Sequence, residues 1–284
     1  MSFNKIIIER KIREFLEEDC NFIDISSHFI PSDSKSSAKI IAKSGGYISG
    51  LEELAILFTI LKVESDFKKK DGEKFKKDEI IVELRGNTRD ILIAERVGLN
   101  LISHMSAITT TTREYVNIVN STGKNVKIAA TRKTIPGLRI FEKKAVILGG
   151  GESHRFSLDD MILLKDTHLK HYNKDIKKLL SAVMNNMSFT KKVEIEIENV
   201  EDVLIAARNG ADIIMLDNMS PDQVEDAINA LRNNNLRDKV IVEVSGGINK
   251  ENIVDYILAE PDIISIGNLT YAPFKQVDLS LRLD

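Results

Sequence analysis

Tryptophan is missing from this chain and cysteine nearly so. The single thiol, Cys20, excludes an intrachain disulfide and a cysteine-based zinc site. The absence of tryptophan, beside many lysines and isoleucines, reads as genome composition or heat adaptation, which the sequence does not separate. No run of about eighteen apolar residues and no secretory signal pattern occurs, so a soluble, cytoplasmic protein is expected. An excess of one charge is lacking too. Lysine and arginine number 40 against 43 acids, a net charge of −3, which argues against nucleic-acid binding through bulk electrostatics. No GxxxxGK(S/T) and no GxGxxG is found, which weakens P-loop and dinucleotide readings, and no HExxH supports a zinc site.

What is present is local. The stretch TRKTIPGLRIFEKKAVILGGGESHR, residues 131–155, packs cations, three consecutive glycines and a histidine into a run unlike an ordinary helix or strand. With 284 residues, 43% hydrophobic and 29% charged, the chain has room for one large α/β domain or two smaller ones.

The two halves differ in pattern. Lys5 to Glu18 has apolar residues at helical spacing, and GGYISGLEELAILFTIL reads as strand, turn and helix. SAKIIAKSGGYISG and KVESDFKKKDGEKFKKDEIIVELRGN alternate as strands do, with DFKKKDGEKFKK expected as a solvated hairpin tip. Asp90 to Ser121 is helical. Beyond it VKIAA, AVILGG and MILLKD read as strand-like apolar runs. Strands VEIEI, DIIML, VIVEV and DIISI then begin at Val193, Asp212, Val240 and Asp262, with helices from near Val200, Pro221 and Asn249. A βα repeat of roughly 20–28 residues means parallel strands with crossover helices, hence an α/β barrel or a doubly wound sheet.

Polar and glycine-rich residues follow each strand: DNMSP, SGGIN and GNLTY. Parallel barrels place their chemistry at these ends, and the last two loops commonly hold phosphate. The plainer alternative is that the glycines only make tight turns. In VEIEIE, alternation sets Glu194, Glu196 and Glu198 on one face. Pointing inward, such carboxylates need cations or a metal; on an edge strand they would be solvated. Asp217 ends the next strand in the same relative place. Arg132, Lys133, Arg139, Arg155 and Lys165 are the cations to match them. Of the five histidines, His154, His168 and His171 lie close in sequence, but arginine suits planar carboxylates and phosphates better than a histidine metal triad would. An acidic rim facing a cationic one suits an anionic substrate that develops positive charge, as phosphoribosyl transfer does. A Schiff-base aldolase would need one lysine, such as Lys165, and would not explain the other charges.

In AERVGLNLISHMSAITTTTREYV, ATRKTIPGLRIFEKKAVILGGGESHR, LLKDTHL, VEIEIENVED, IIMLDNMSP, VEVSGGI and ISIGNLTY, from about Glu95 to Tyr271, the chain resembles the quinolinate phosphoribosyltransferases, the carboxylating nicotinate-nucleotide pyrophosphorylases. The resemblance implies a type II phosphoribosyltransferase: an N-terminal α/β sandwich, residues 1–112 completed by 272–284, and an incomplete parallel α/β barrel, 113–271. It implies transfer from phosphoribosyl pyrophosphate to quinolinate with decarboxylation, giving nicotinate mononucleotide, pyrophosphate and carbon dioxide in de novo NAD synthesis. The alternative is a related type II enzyme, nicotinate-specific or of the ModD-like branch.

By motif, Arg96 would reach a partner subunit's site, implying a homodimer, with a higher assembly of dimers left open. Thr131, Arg132, Lys133, His154, Arg155 and Lys165 would bind the quinolinate carboxylates and donor phosphates. Glu196 and Asp217 would face the ribose and its Mg2+, mostly through substrate and water. Ser245, Gly246, Gly247, Ile266, Gly267 and Asn268 would hold the 5′-phosphate. Lys133, Lys165, Glu196 and Asp217 form the implied catalytic set. Three departures stand out: FIDISS lacks a family glycine, Thr167 replaces an asparagine in KDTH, and Tyr271 replaces a histidine.

Overall fold

The computed structural model of the chain describes residues 3–284. Following the chain, α1 (Lys5–Asp19) is capped by Asn4, whose side chain accepts the Ile6 N–H, and buries Ile8 and Ile12. Then come β1 (Lys35–Ala42), β2 (Gly46–Tyr47), α2 (Leu51–Ile60), β3 (Glu64–Phe67), β4 (Lys74–Phe75) and β5 (Ile80–Asn87). The long helix α3 (Thr88–Thr122) follows. The second half runs β6 (Lys127–Ala129), α4 (Arg139–Leu148), β7 (Ile162–Leu164), α5 (Asp166–His171), α6 (Ile176–Met184), β8 (Val193–Ile197) and α7 (Val200–Arg208). It continues through β9 (Ile213–Asp217), α8 (Pro221–Asn233), β10 (Ile241–Ser245), α9 (Ile253–Leu258), β11 (Ile263–Ser265) and α10 (Asn268–Tyr271) to β12 (Leu279–Leu283).

The chain forms two compact units. The first holds the residues up to Thr111, 140–149 and 272–284. Its antiparallel sheet has the order β12-β1-β5-β3, so the C-terminal strand completes the sheet by pairing with β1. Packed apolar side chains, among them Ile40, Leu54, Phe58, Ile81 and Leu84, are all but fully buried in it.

One expectation fails in this unit. AVILGG is not a strand, because its apolar residues lie in α4, where Phe141, Ala145 and Val146 are buried at helical spacing. The lysine-rich segment is, as expected, the solvated connection of an antiparallel pair, β3 with β5, with one addition that spacing did not show. Within that connection β4 pairs with β2, and the buried Phe75 anchors the loop. Its lysines remain at the surface in ion pairs, Lys68 with Glu83 and Lys69 with Glu79. By length and composition α3 would suffice to cross a membrane, but 56% of its most apolar stretch is buried inside the protein, as in a core helix.

The second unit, 112–139 and 150–271, carries a six-stranded parallel sheet of order β6-β11-β10-β9-β8-β7. A further parallel bridge joins Ala129 to Glu152 beyond β6. Residues on the outer face, Val193, Ile195, Ile197, Ile214, Leu216, Val242, Val244 and Ile264, are 0–2% exposed. Burying each such side chain contributes about 1.5–3 kcal/mol. Helices start where the sequence caps them: Asn199 on α7, and a Ser220–Gln223 capping box with Pro221 at the first turn of α8.

Candidate active site

Because every strand of this sheet is parallel, all the C-terminal ends lie along one edge. Register places Asp217 beside Ser245, Ser245 beside Ser265, and Ser265 beside Ala129. One step lower Glu196, Met215 and Glu243 form a row across three strands. Paired residues share a face. The face opposite the buried isoleucines and valines therefore carries Glu194, Glu196, Asp217, Glu243 and Ser245. Glu198 lies past the end of β8 and is exposed.

Glu196 is largely buried, and its Oε1 meets Lys165 Nζ, which projects from just beyond β7. Burial raises the Glu196 pKa against the pull of Lys165, and the charge of Asp217 raises it further. Lys165 also sits at the cap of α5, where His168 Nδ1 accepts its backbone N–H at 3.0 Å. His168 is thus a capping group, and His171 is exposed on α5. The three neighbouring histidines do not converge.

The loop after β6 carries Thr131, Arg132 and Lys133. Thr131 Oγ1 accepts the Lys133 N–H at 3.0 Å, and Thr270 Oγ1 donates to the Lys133 carbonyl at 2.6 Å, tying the loop to α10. A Cβ on Gly267 would lie 2.8 Å from Lys133 Cδ, so the glycine lets the lysine stem pass close to the backbone in this rotamer. Ile266 is buried beneath this contact, and Asn268 opens α10 in an exposed position. Arg139 braces the loop by donating to Thr134 Oγ1 and the Phe156 carbonyl, both at 3.1 Å. It serves the backbone and does not join the strand-end charges.

Arg155 is buried. Burial and the charge of Arg132 lower its pKa, while Glu194 and Glu196 act in the opposite sense. Arg132, Arg155, Glu194 and Glu196 therefore share one electrostatic neighbourhood. Beside them Gly246 has φ 97° and Gly247 φ 63°. A Cβ on Gly246 would fall 2.2 Å from Asn218 Oδ1, so that turn admits no side chain.

Sequence reasoning overlooked Asn218 and Glu243. The Asn218 N–H donates to the Ser245 carbonyl at 2.9 Å and its Nδ2 to Asp217 Oδ2 at 2.9 Å, joining the ends of β9 and β10. Glu243 is 0% exposed and accepts from His154 Nε2 at 3.2 Å. An acid in the apolar strand VIVEV was the available signal. Arg96 lies exposed on α3 in the first unit.

Comparison with known proteins agrees with this geometry. The C-terminal domain model of quinolinate phosphoribosyl transferase matches residues 108–282, and the N-terminal domain model matches 24–106. A probable nicotinate-nucleotide pyrophosphorylase (carboxylating) of Archaeoglobus fulgidus is 42% identical over 246 residues, covering 87% of this chain and 93% of that one. A protein of the same name from Methanothermobacter thermautotrophicus is 40% identical over 273 residues, 96% of this chain and 97% of its own. The crystal structure of NadC from Streptococcus pyogenes superposes with a TM-score of 0.92 at 33% identity, covering 100% of this chain and 99% of that one.

Proposed function

The chain belongs to the quinolinate phosphoribosyltransferase family, and from that premise we propose that it transfers phosphoribose from phosphoribosyl pyrophosphate to quinolinate, releasing pyrophosphate and carbon dioxide. The observation that carries this reading is the meeting of Arg132, Arg155 and Lys165 with Glu196 and Asp217 at one end of a parallel sheet.

Quinolinate has two adjacent carboxylates, and paired cations hold them in place. Arg132 and Arg155 supply forked donors. Each opposes the other's charge, so a dianion between them relieves the repulsion that Arg155 already feels. Lys133 and Lys165 neutralise donor phosphates. The backbone at Ser245–Gly247 and Gly267–Asn268 receives the 5′-phosphate, with glycine allowing close approach.

As the bond from ribose C1 to pyrophosphate breaks, C1 becomes oxocarbenium-like, and Glu196 and Asp217 face that charge. The pyridine nitrogen attacks C1 and the ring becomes a pyridinium. The positive nitrogen stabilises the electron pair left on ring C2 when the 2-carboxylate departs as carbon dioxide, and C2 then takes a proton from solvent, so no further cofactor is needed for that step. The protein's task is to orient and to neutralise.

Magnesium fits the same place. Glu196 and Asp217 offer the hard oxygen donors it prefers, and their mutual repulsion favours a cation. They would face it mostly through substrate and water, and the ion would neutralise the leaving pyrophosphate. A homodimer, with Arg96 serving the partner's site, completes the proposal.

Incubation with quinolinate, phosphoribosyl pyrophosphate and magnesium, with nicotinate as competitor, tests the reading. Carbon dioxide and nicotinate mononucleotide formed from quinolinate support it. Turnover of nicotinate without carbon dioxide release from quinolinate overturns it.

A further inference from the structure

Glu243 has no place in the mechanism above, yet it is fully buried on the inward face of β10, two residues before Ser245. Glu194 of β8 is equally buried, and neither of its carboxylate oxygens accepts a hydrogen bond. Oε1 of Glu243 accepts none either. Both acids converge on one group. His154 Nε2 lies 3.2 Å from Glu243 Oε2 and 3.5 Å from Glu194 Oε2.

His154 is itself unusual. Its φ of 54° is left-handed, a conformation that a non-glycine residue keeps only where its surroundings enforce it. Two contacts enforce it here, Nε2 to the two glutamates and Arg155 Nη1 to the Met161 carbonyl at 3.3 Å, and while the ring is neutral the Arg155 N–H to Nδ1 at 2.8 Å adds a third. We propose that Glu243, with Glu194 across from it, is a positioning residue that grips the His154 ring by Nε2 and thereby sets the His154–Arg155 turn that places the guanidinium among the strand-end charges. This rests on the function proposed above and extends it to a layer of side chains beneath the substrate groups.

Two contacts bear oppositely on the ring's charge. Burial disfavours the imidazolium, but Glu194 and Glu243 outweigh it and carry the pKa from 6.5 to about 9. The Arg155 N–H facing Nδ1 favours the neutral ring with its proton on Nε2. Two buried carboxylates without a cation cost more than one displaced amide hydrogen bond, so the cationic ring prevails at neutral pH. The charged groups around it are Glu194 from β8, Glu243 from β10, its neighbour Arg155, and, beside Arg155, Arg132 from the loop after β6. The donor atoms of His154, Glu194 and Glu243 lie within 4.8 Å of one another, a spacing that also suits a metal ion. A metal would need the Nε2 lone pair, which a proton donated to Glu243 occupies, and it would be repelled by Arg155.

The test uses Glu243→Gln, which keeps the volume and removes the charge. Histidine-labelled protein is titrated by NMR with EDTA present, and His154→Gln assigns the signal. The expected result is a His154 midpoint lowered by more than one pH unit in Glu243→Gln; an unchanged midpoint overturns the proposal. In kinetics, KM for quinolinate should rise on the order of tenfold at pH 8 with kcat changed by less than about threefold, and the gap should narrow at pH 6, where the ring is protonated without help. Glu243→Asp should recover part of the loss. In a His154→Gln background, Glu243→Gln should add almost nothing, whereas additive losses equal at every pH mean a merely structural glutamate. Should the wild-type protein not turn over quinolinate, the proposed function falls and the titration alone decides the role of Glu243.

Discussion

Lys144 in the first unit is buried and His154 in the second largely so, each held between two glutamates, yet their surroundings are satisfied differently. Lys144 Nζ pairs with Glu53 Oε1 at 2.8 Å and with Glu52, leaving only Glu53 Oε2 without a donor. On the same helix Glu142 accepts from His104 Nε2 at 2.9 Å. Around His154, three carboxylate oxygens of two glutamates lack hydrogen bonds, and a second cation, Arg155, stands beside the ring without closing the set. Nearly closed charge sets serve to hold an element in place. The open one lies under the strand ends, beside the Arg155 guanidinium that the proposed quinolinate would meet.

That contrast breaks most sharply at Lys144. Replacing Lys144 with Met strands Glu53 in the core, and breaking a buried pair from one side costs about 3–5 kcal/mol. Urea unfolding should show that loss, with turnover per folded molecule kept. A loss below about 1 kcal/mol would mean that α4 is held by its apolar face alone.

Arg155→Ala should act the other way. The fold should survive, because the residue sits among the strand-end charges and outside the apolar core, while quinolinate affinity falls on the order of a hundredfold, about 3 kcal/mol. Calorimetry on the folded variant measures it, and unchanged affinity removes Arg155 from the site.

The same contrast explains what could be read from the residues. DIIML, VIVEV and DIISI are short apolar runs bounded by glycine, proline and capping residues, so the parallel strands and their shared C-terminal edge were legible. The cations showed as a cluster near those ends. AVIL misled because four apolar residues fit a strand and a helix turn equally, and only packing with distant Glu52 and Glu53 decides. The pairing of β4 with β2 was hidden for the same reason, since nothing local marks that partner. Glu243 was missed because one acid in VIVEV breaks the pattern less than two in VEIEI do. Its meeting with His154 depends on register across three strands and on a bridge beyond β6, none of which spacing reveals.

The smallest expected effect is a stability profile that only the open set produces. In the unfolded chain His154 titrates near 6.5, and in the folded protein near 9 because two glutamates favour the charged ring. Below pH 6.5 the ring is protonated in both states and the stabilisation is complete. As pH rises from 6.5 toward 9 the unfolded chain gives up its proton while the folded one keeps it, so stability declines; above 9 the contribution is gone. Between pH 6.5 and 8 the loss is about 1.5 kcal/mol, because a proton held by the folded chain alone is worth about 1.4 kcal/mol across each pH unit and the unfolded ring is still half protonated at 6.5. Denaturant midpoints taken at half-unit steps should fall accordingly in the wild type and lie flatter in His154→Gln. A wild-type profile as flat as the variant's would mean that the ring is neutral when folded, with its Nδ1 kept by the Arg155 amide, and that the glutamate pair holds the proton instead.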